Sequence, residues 1–246
     1  MKTLMLSLFA CSVAACAMDQ MDQSDNNAVA SDEQSIIGGA TDNGDPCVVA
    51  LFVHAPGATS GSLCTGTVIG ARTVLTAAHC VSPVTVGTGQ VFEILSGTTL
   101  TGTRVVASST TYNPAWNVNN LFGGHDIGIV HSSATLPFPV CGRGAVNVGQ
   151  TVRLVGYGTN THANTGSGTK RQVTVSIVGS NGVLIQDGNS NQQTCHGDSG
   201  GPAFQGSNVV GVTSFGSDQS QTSVCFGGGY HVRVDADTAF INANTF

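Results

Sequence analysis

From Ile36 onward the chain is built of short apolar, β-branched runs separated by Gly, Asn, Ser, Asp and Pro. The runs at 48–53 (VVALFV), 91–95 (VFEIL), 103–107 (TRVVA), 127–131 (IGIVH), 151–155 (TVRLV), 172–178 (QVTVSIV), 182–186 (GVLIQ) and 208–214 (NVVGVTS) are each five to seven residues long. That is strand length, and Gln172 to Ile177 alternates polar with apolar positions, the period of a strand with one buried face. Many short strands with turn residues between them predict an all-β sandwich or barrel and disfavour a parallel α/β sheet. One helix is predicted, Asp235 to Asn244, where Ala236, Ala239 and Phe240 fall at helical spacing behind Asp235 as a candidate N-cap. No internal repeat is visible.

The first 35 residues follow a different pattern. Met1-Lys2 and the apolar run Thr3 to Ala15 read as the basic and apolar regions of a secretory signal, placed at residues 1–17. The run is shorter than the roughly 20 apolar residues a spanning helix needs. Two endings stay open: Ala15-Cys16-Ala17 resembles a signal-peptidase site, and Val13-Ala14-Ala15-Cys16 resembles a lipobox that would place a lipid, and thus a membrane contact, on Cys16. Residues 18–35 are rich in acids and amides without periodicity, the composition of a segment that packs no core, and read as a propeptide. Residues 36–246 are then one expected domain.

Composition narrows the function. Only 9 % of the 246 residues are charged, against about 25 % in an average soluble protein. The eight Lys and Arg are scattered singly, which excludes a phosphate-binding face and hence nucleic acid as a partner. Of the 14 acids, nine follow residue 35, dispersed, so no acidic loop calls for calcium. Six cysteines remain after the signal: Cys47, Cys64, Cys80, Cys141, Cys195 and Cys225. In an exported chain they imply three disulfides, with 15 connectivities open to counting alone, and no ligand spacing points to a metal. Neither a metal nor a cofactor is expected.

Two local sequences carry candidate chemistry, Thr76-Ala77-Ala78-His79-Cys80 and Cys195-His196-Gly197-Asp198-Ser199-Gly200-Gly201-Pro202, with His125-Asp126-Ile127 between them. A serine hydroxyl is a weak nucleophile until an imidazole takes its proton, and the imidazole needs a carboxylate to fix its tautomer. The glycines beside Ser199 suit an oxyanion hole from the N–H groups of Gly197 and Ser199, because a side chain at Gly197 is expected to crowd the oxyanion.

With Ile36-Ile37-Gly38-Gly39 in front, these segments form four motifs in order, and the sequence from residue 36 to about 246 resembles the chymotrypsin/trypsin family of serine proteases. The resemblance implies two six-stranded antiparallel β-barrels, divided between Ser132 and Gly149, with a short C-terminal helix. It implies a secreted, monomeric endopeptidase acting on protein or peptide substrates through His79 as general base, Asp126 as its carboxylate and Ser199 as nucleophile. It also implies disulfides Cys64–Cys80 and Cys195–Cys225, which leave Cys47 with Cys141. By the same resemblance the precursor is a zymogen cut between Ser35 and Ile36, whose new ammonium pairs with Asp198. No Lys or Arg lies between Lys2 and Arg72, so the activating protease must cut after some other residue.

Ser214, Phe215 and Gly216 match the family's substrate-binding strand, and Gln193, Thr194 and Gly228 match its primary pocket. Gln193 stands where trypsin-like specificity has a carboxylate, and Gly216 and Gly228 match positions where bulky side chains would block the pocket, so a deep neutral pocket that favours an uncharged side chain is expected, because burying an unpaired cation is costly. Asp218, in the long Ser217–Val224 stretch, offers an alternative acid and a preference for Lys or Arg.

Two readings of other kinds compete. Gly197-Asp198-Ser199-Gly200-Gly201 satisfies the G-x-S-x-G elbow of α/β-hydrolases, but that fold needs alternating helices and a later acid and histidine. A non-catalytic homologue that only binds is the other, and such a protein usually lacks a triad residue, whereas here all three are present.

Overall fold

The computed structural model describes residues 36–217 and 225–246, so the signal and propeptide expectations and Asp218 lie outside the described residues. In chain order the first half carries β1 (Ala40–Thr41), β2 (Val48–His54), β3 (Ser62–Gly70), β4 (Thr73–Thr76), α1 (Pro83–Val86), β5 (Val91–Leu95), β6 (Arg104–Val106), β7 (Ser109–Tyr112) and β8 (Gly128–His131). The second half carries β9 (Gly142–Arg143), β10 (Thr151–Gly156), β11 (Arg171–Ser180), β12 (Leu184–Asp187), β13 (Pro202–Gln205), β14 (Asn208–Gly216), β15 (Gly229–Arg233) and α2 (Thr238–Ala243).

These strands form two sheets. The second closes on itself in the order β11-β10-β13-β14-β15-β12, with β12 returning to pair with β11. The first runs β6-β5-β2-β3-β4-β8-β7, and its two ends are consecutive in the chain. Between them Ala107 N–H donates to Phe92 O (2.8 Å) and Ser108 N–H to Val130's neighbour His131 at its carbonyl (2.7 Å). The segment 104–112 therefore crosses from one edge of the curled sheet to the other as a bent strand.

The all-β, two-barrel expectation stands, with the second sheet closed and the first curled. Its basis is legible in burial: Val173, Val175 and Ile177 of β11 point into a core while Thr174, Ser176 and Val178 face out. β2 instead buries Val48, Val49, Ala50 and Leu51 in succession, so both of its faces are covered there.

Tyr157 joins the barrels. Its ring is fully buried at the end of β10, and its hydroxyl donates to Gly97 O (2.6 Å) in the first half of the chain. Burial pushes this phenol well above its ordinary pKa, which keeps it a donor.

Three disulfides are present: Cys47–Cys141, Cys64–Cys80 and Cys195–Cys225. The first spans 94 residues, so by the chain-entropy argument it removes the most freedom from the unfolded chain, about 4 to 5 kcal/mol.

The helical expectation needs correction at its start. α2 begins at Thr238 with Asp237 at the N-cap position, whereas Asp235 is held by the Arg233 guanidinium (2.6 Å) and caps nothing. The short α1 was not expected, although Ser82-Pro83 carries its signature: the Ser82 hydroxyl accepts from Val84 N–H and proline occupies the first turn.

Candidate active site

His79 sits in a single 3-10 turn, Ala78–Cys80, at the end of β4, and the Cys64–Cys80 bridge ties that turn to β3. Asp126 lies two residues before β8, which pairs with β4, so adjacent strands deliver the two side chains together. The His79 amide donates to Asp126 Oδ1 (2.9 Å), and its Nδ1 lies 2.7 Å from Oδ2. The Ser214 hydroxyl also donates to Oδ2, at 2.6 Å. Asp126 is 2 % exposed. Burial alone would raise its pKa, but the facing imidazole and these hydrogen bonds outweigh it and hold the carboxyl below the usual range. An ionised Asp126 requires a proton on His79 Nδ1, which leaves Nε2 free to act as a base.

Ser199 comes from the other barrel, in the turn between Cys195 and β13. Its carbonyl accepts from Thr65 N–H (2.8 Å) and lies 3.7 Å from Cys80 Sγ, which sets the residue beside the histidine turn. Gly200 makes this approach possible. A Cβ there would lie 2.0 Å from Thr76 Oγ1 and 2.4 Å from Thr65 O, and its φ of +81° is one that L side chains rarely adopt.

Thr65 is a hub the sequence did not disclose. Its hydroxyl donates to Gly197 O (2.8 Å) and accepts from Tyr157 N–H (3.1 Å), while its carbonyl accepts from Thr76 Oγ1 (2.8 Å). One threonine next to Cys64 carries no signal that separates it from other strand threonines. The Ser214 hydroxyl on Asp126 was missed for a related reason, since the motif marks the strand and not the direction of that side chain.

Among the described residues, the N–H groups of Gly197 and Ser199 have no hydrogen-bond partner. Packing gives a further reason for glycine at 197. An added Cβ would meet Gly158 Cα at 2.9 Å, so it is packing against the neighbouring turn that excludes a side chain.

Asp198 is fully buried. Its Oδ1 accepts from Gly158 N–H (2.7 Å) and its Oδ2 from Cys195 N–H (2.9 Å). Loss of water outweighs these bonds and pushes its pKa up to about 7. Ile36 is also fully buried, packed among apolar residues of the second barrel, and Ile37 bridges to Gln193. No hydrogen bond joins Ile36 N to Asp198 here.

At the expected pocket, Gln193 is buried and both ends of its amide are engaged. Nε2 donates to Cys225 O (2.5 Å) and Oε1 accepts from Gly228 N–H (3.0 Å). Thr194 is buried beside it. Gly216 is exposed, with open space where a Cβ would stand. At Gly228 a Cβ would strike Asp187 O at 2.1 Å, so main-chain packing and a φ of +95° require glycine. Phe215 stacks on Tyr230 at 4.8 Å and meets Phe122 edge-on at 5.2 Å.

The sulfur and imidazole atoms of Cys64, His79 and Cys80, and of Cys195, His196 and Cys225, lie close together. All four cysteines are oxidised in disulfides, so they offer no thiolate to a metal.

Comparison with known proteins matches residues 36–239 to the trypsin family model. A brachyurin of Leptuca pugilator is 30 % identical over 209 residues, covering 74 % of this chain and 87 % of the relative. Trypsin, alkaline C, of Manduca sexta is 29 % identical, covering 89 % and 94 %. Trypsin CFT-1 of Choristoneura fumiferana is 28 % identical, covering 86 % and 91 %. Motif order, two-barrel fold and these relatives lead to one conclusion: the chain belongs to the trypsin family, and it is a serine endopeptidase that hydrolyses peptide bonds of protein or peptide substrates.

Proposed function

We propose that the endopeptidase works through His79, Asp126 and Ser199 by way of an acyl-enzyme. The carrying observation is the 2.7 Å contact between His79 Nδ1 and a buried, ionised Asp126, placed at the turn that abuts Ser199. His79 Nε2 takes the Ser199 proton as Oγ attacks the scissile carbonyl, and the N–H groups of Gly197 and Ser199 receive the oxyanion. The protonated imidazole then gives its proton to the leaving amine, and water reverses the sequence to release the acid. A serine-directed fluorophosphonate tests this: one adduct on Ser199, lost in Ser199→Ala, is expected, and an unlabelled but processed chain would instead identify a binding homologue.

Activation by a cut between Ser35 and Ile36 is the second part of the reading. Ile36 has φ +51°, a left-handed value that strains a β-branched residue by about 1 to 3 kcal/mol. Cutting the preceding peptide bond abolishes that torsion and frees an α-ammonium next to the second barrel, where Asp198 lacks a cationic partner. N-terminal sequencing of active enzyme should begin at Ile36.

The primary pocket is neutral in this reading, because Gln193 supplies no charge and its amide is already spent on Cys225 and Gly228. An uncharged side chain before the cleaved bond is expected. Since three relatives bear the name trypsin or brachyurin, peptides with Lys or Arg at that position are the necessary comparison. The disulfides and the relatives also support export from the cell, with the Cys16 lipid tested by mass of the precursor.

A further inference from the structure

We propose that Asp237 and His125 form a positioning device that aims Asp126 from behind the reacting groups. This rests on the role given to Asp126 above. His125 immediately precedes Asp126 and has φ +62°, one of three non-glycine residues in the left-handed region among those described. Histidine tolerates that region better than most side chains, but something must hold it there.

The holder is Asp237. Its Oδ1 lies 2.7 Å from His125 Nδ1 and accepts from Asn113 Nδ2 at 2.8 Å. Both contacts reach across the fold from the start of the C-terminal helix to the chain around β8. The carboxylate sits at the N-cap position of α2 yet makes no capping hydrogen bond. An acid at an N-cap ordinarily accepts from the first helical N–H groups. Here that local use is given up, which marks a residue held for another purpose. The side chain of Asp237 is 4 % exposed, so its direction is fixed by packing.

Two further bonds carry the constraint to Asp126. Ile127 N–H donates to His125 O (2.7 Å), closing a tight turn around Asp126, and Asn113 N–H donates to Ile127 O (2.9 Å). The turn is thereby clamped on both sides by residues that Asp237 holds, His125 and Asn113. The Asp126 carboxylate emerges from this turn toward the His79 amide, His79 Nδ1 and Ser214 Oγ. Asp237 and His125 touch neither substrate nor reacting atoms in this arrangement. They act through the main chain of Asp126.

The test uses the full precursor after activation, with His125→Ala, His125→Asn and Asp237→Ala. Alanine loses both the tether and the tolerance for positive φ, whereas asparagine keeps that tolerance and a donor for Asp237. A misaimed carboxylate is expected to lower kcat by about 10- to 100-fold while KM moves less than about 2-fold. His125→Asn should recover kcat to within about 3-fold of wild type, since asparagine is also at ease with positive φ.

The second readout is the proton between His79 Nδ1 and Asp126, whose short charge-assisted bond should give a strongly deshielded 1H NMR resonance. It should weaken in both alanine variants and return in His125→Asn. If Asp237→Ala fails to fold, the His125 pair carries the test, at a side chain 31 % exposed.

Wild-type kcat and resonance in His125→Ala, or asparagine performing no better than alanine, would overturn the positioning role. If the wild type hydrolyses no peptide but the resonance follows this pattern, the positioning role stands and the catalytic reading fails. A wild type lacking both would sink the two together.

Discussion

If the proposed cut before Ile36 pairs a new ammonium with the buried Asp198, the pH dependence of stability should tell the cut form from the uncut one. Its pKa rises from 3.8 to about 7 in the uncut fold, chiefly through loss of water. Between those values the folded state holds a proton that the unfolded state has released, so stability falls as pH rises from about 4 to 7. At 1.36 kcal/mol per pKa unit, the full excursion is worth about 4 kcal/mol. The perturbation is the cut itself, made in Ser199→Ala protein so that nothing digests itself. In the proposed activation a free Ile36 ammonium pairs with Asp198, which should lower the carboxyl's pKa and remove the decline. Its own pKa, ordinarily near 8, is raised by the pairing, so that contribution is complete at neutral pH and lost as the ammonium deprotonates at alkaline pH. Urea unfolding of both forms across pH 4 to 8, with disulfides intact, measures the difference. Asp198→Asn in the uncut form should flatten the curve. Parallel curves for cut and uncut protein would refute the reasoning.

Other consequences follow from single contacts. Ser214→Ala removes one of the hydrogen bonds on the ionised Asp126 and should lower kcat/KM about 10-fold, as loss of about 1.5 kcal/mol from a charged partner implies, measured on a peptide ester. Gly200→Ala forces a Cβ to within 2.0 Å of Thr76 Oγ1, and should remove fluorophosphonate labelling and lower Tm, whereas Gly216→Ala, facing open space, should leave Tm unchanged and alter only substrate preference. Gln193→Glu removes the donor to Cys225 O and sets a carboxylate against that carbonyl; the expected outcome is lower activity on every substrate, and a clean switch to Lys or Arg would show that the segment does not depend on that bond.

The sequence made the strands legible where burial is one-sided, as in β11, and the chemistry legible where a motif packs several requirements into adjacent residues. Gly197 to Pro202 is such a stretch, since every residue there meets another element closely. What stayed hidden depends on contacts between distant parts of the chain. Thr65 carries four bonds of the site through main chain and hydroxyl, but a lone threonine in a strand looks like any other. The start of α2 was misplaced by two residues because both Asp235 and Asp237 are plausible caps locally, and tertiary partners take both away: Arg233 the first, His125 and Asn113 the second. Gly197 and Gly228 were matched by motif, but their physical reasons lie in Gly158 and Asp187, which no local pattern names.

Charge accounting sharpens the activation reading. Five aspartates among the described residues are buried: Asp42, Asp126, Asp187, Asp198 and Asp237. Four face a basic side chain, Asp42 with Lys170, Asp126 with His79, Asp187 with His231 and Asp237 with His125. Asp198 alone has only amide N–H partners, and the more distant Arg171 and His231 lower its pKa too little to offset burial. A buried carboxylate without a cation is unfavourable, so it persists where another state supplies one. Asp198 adjoins Ser199 and is bonded to the main chain of Gly158, which packs against Gly197. In the proposed activation a cation arriving at Asp198 would act on both proposed oxyanion donors through these contacts, which is how a cut before Ile36 would be felt at Ser199.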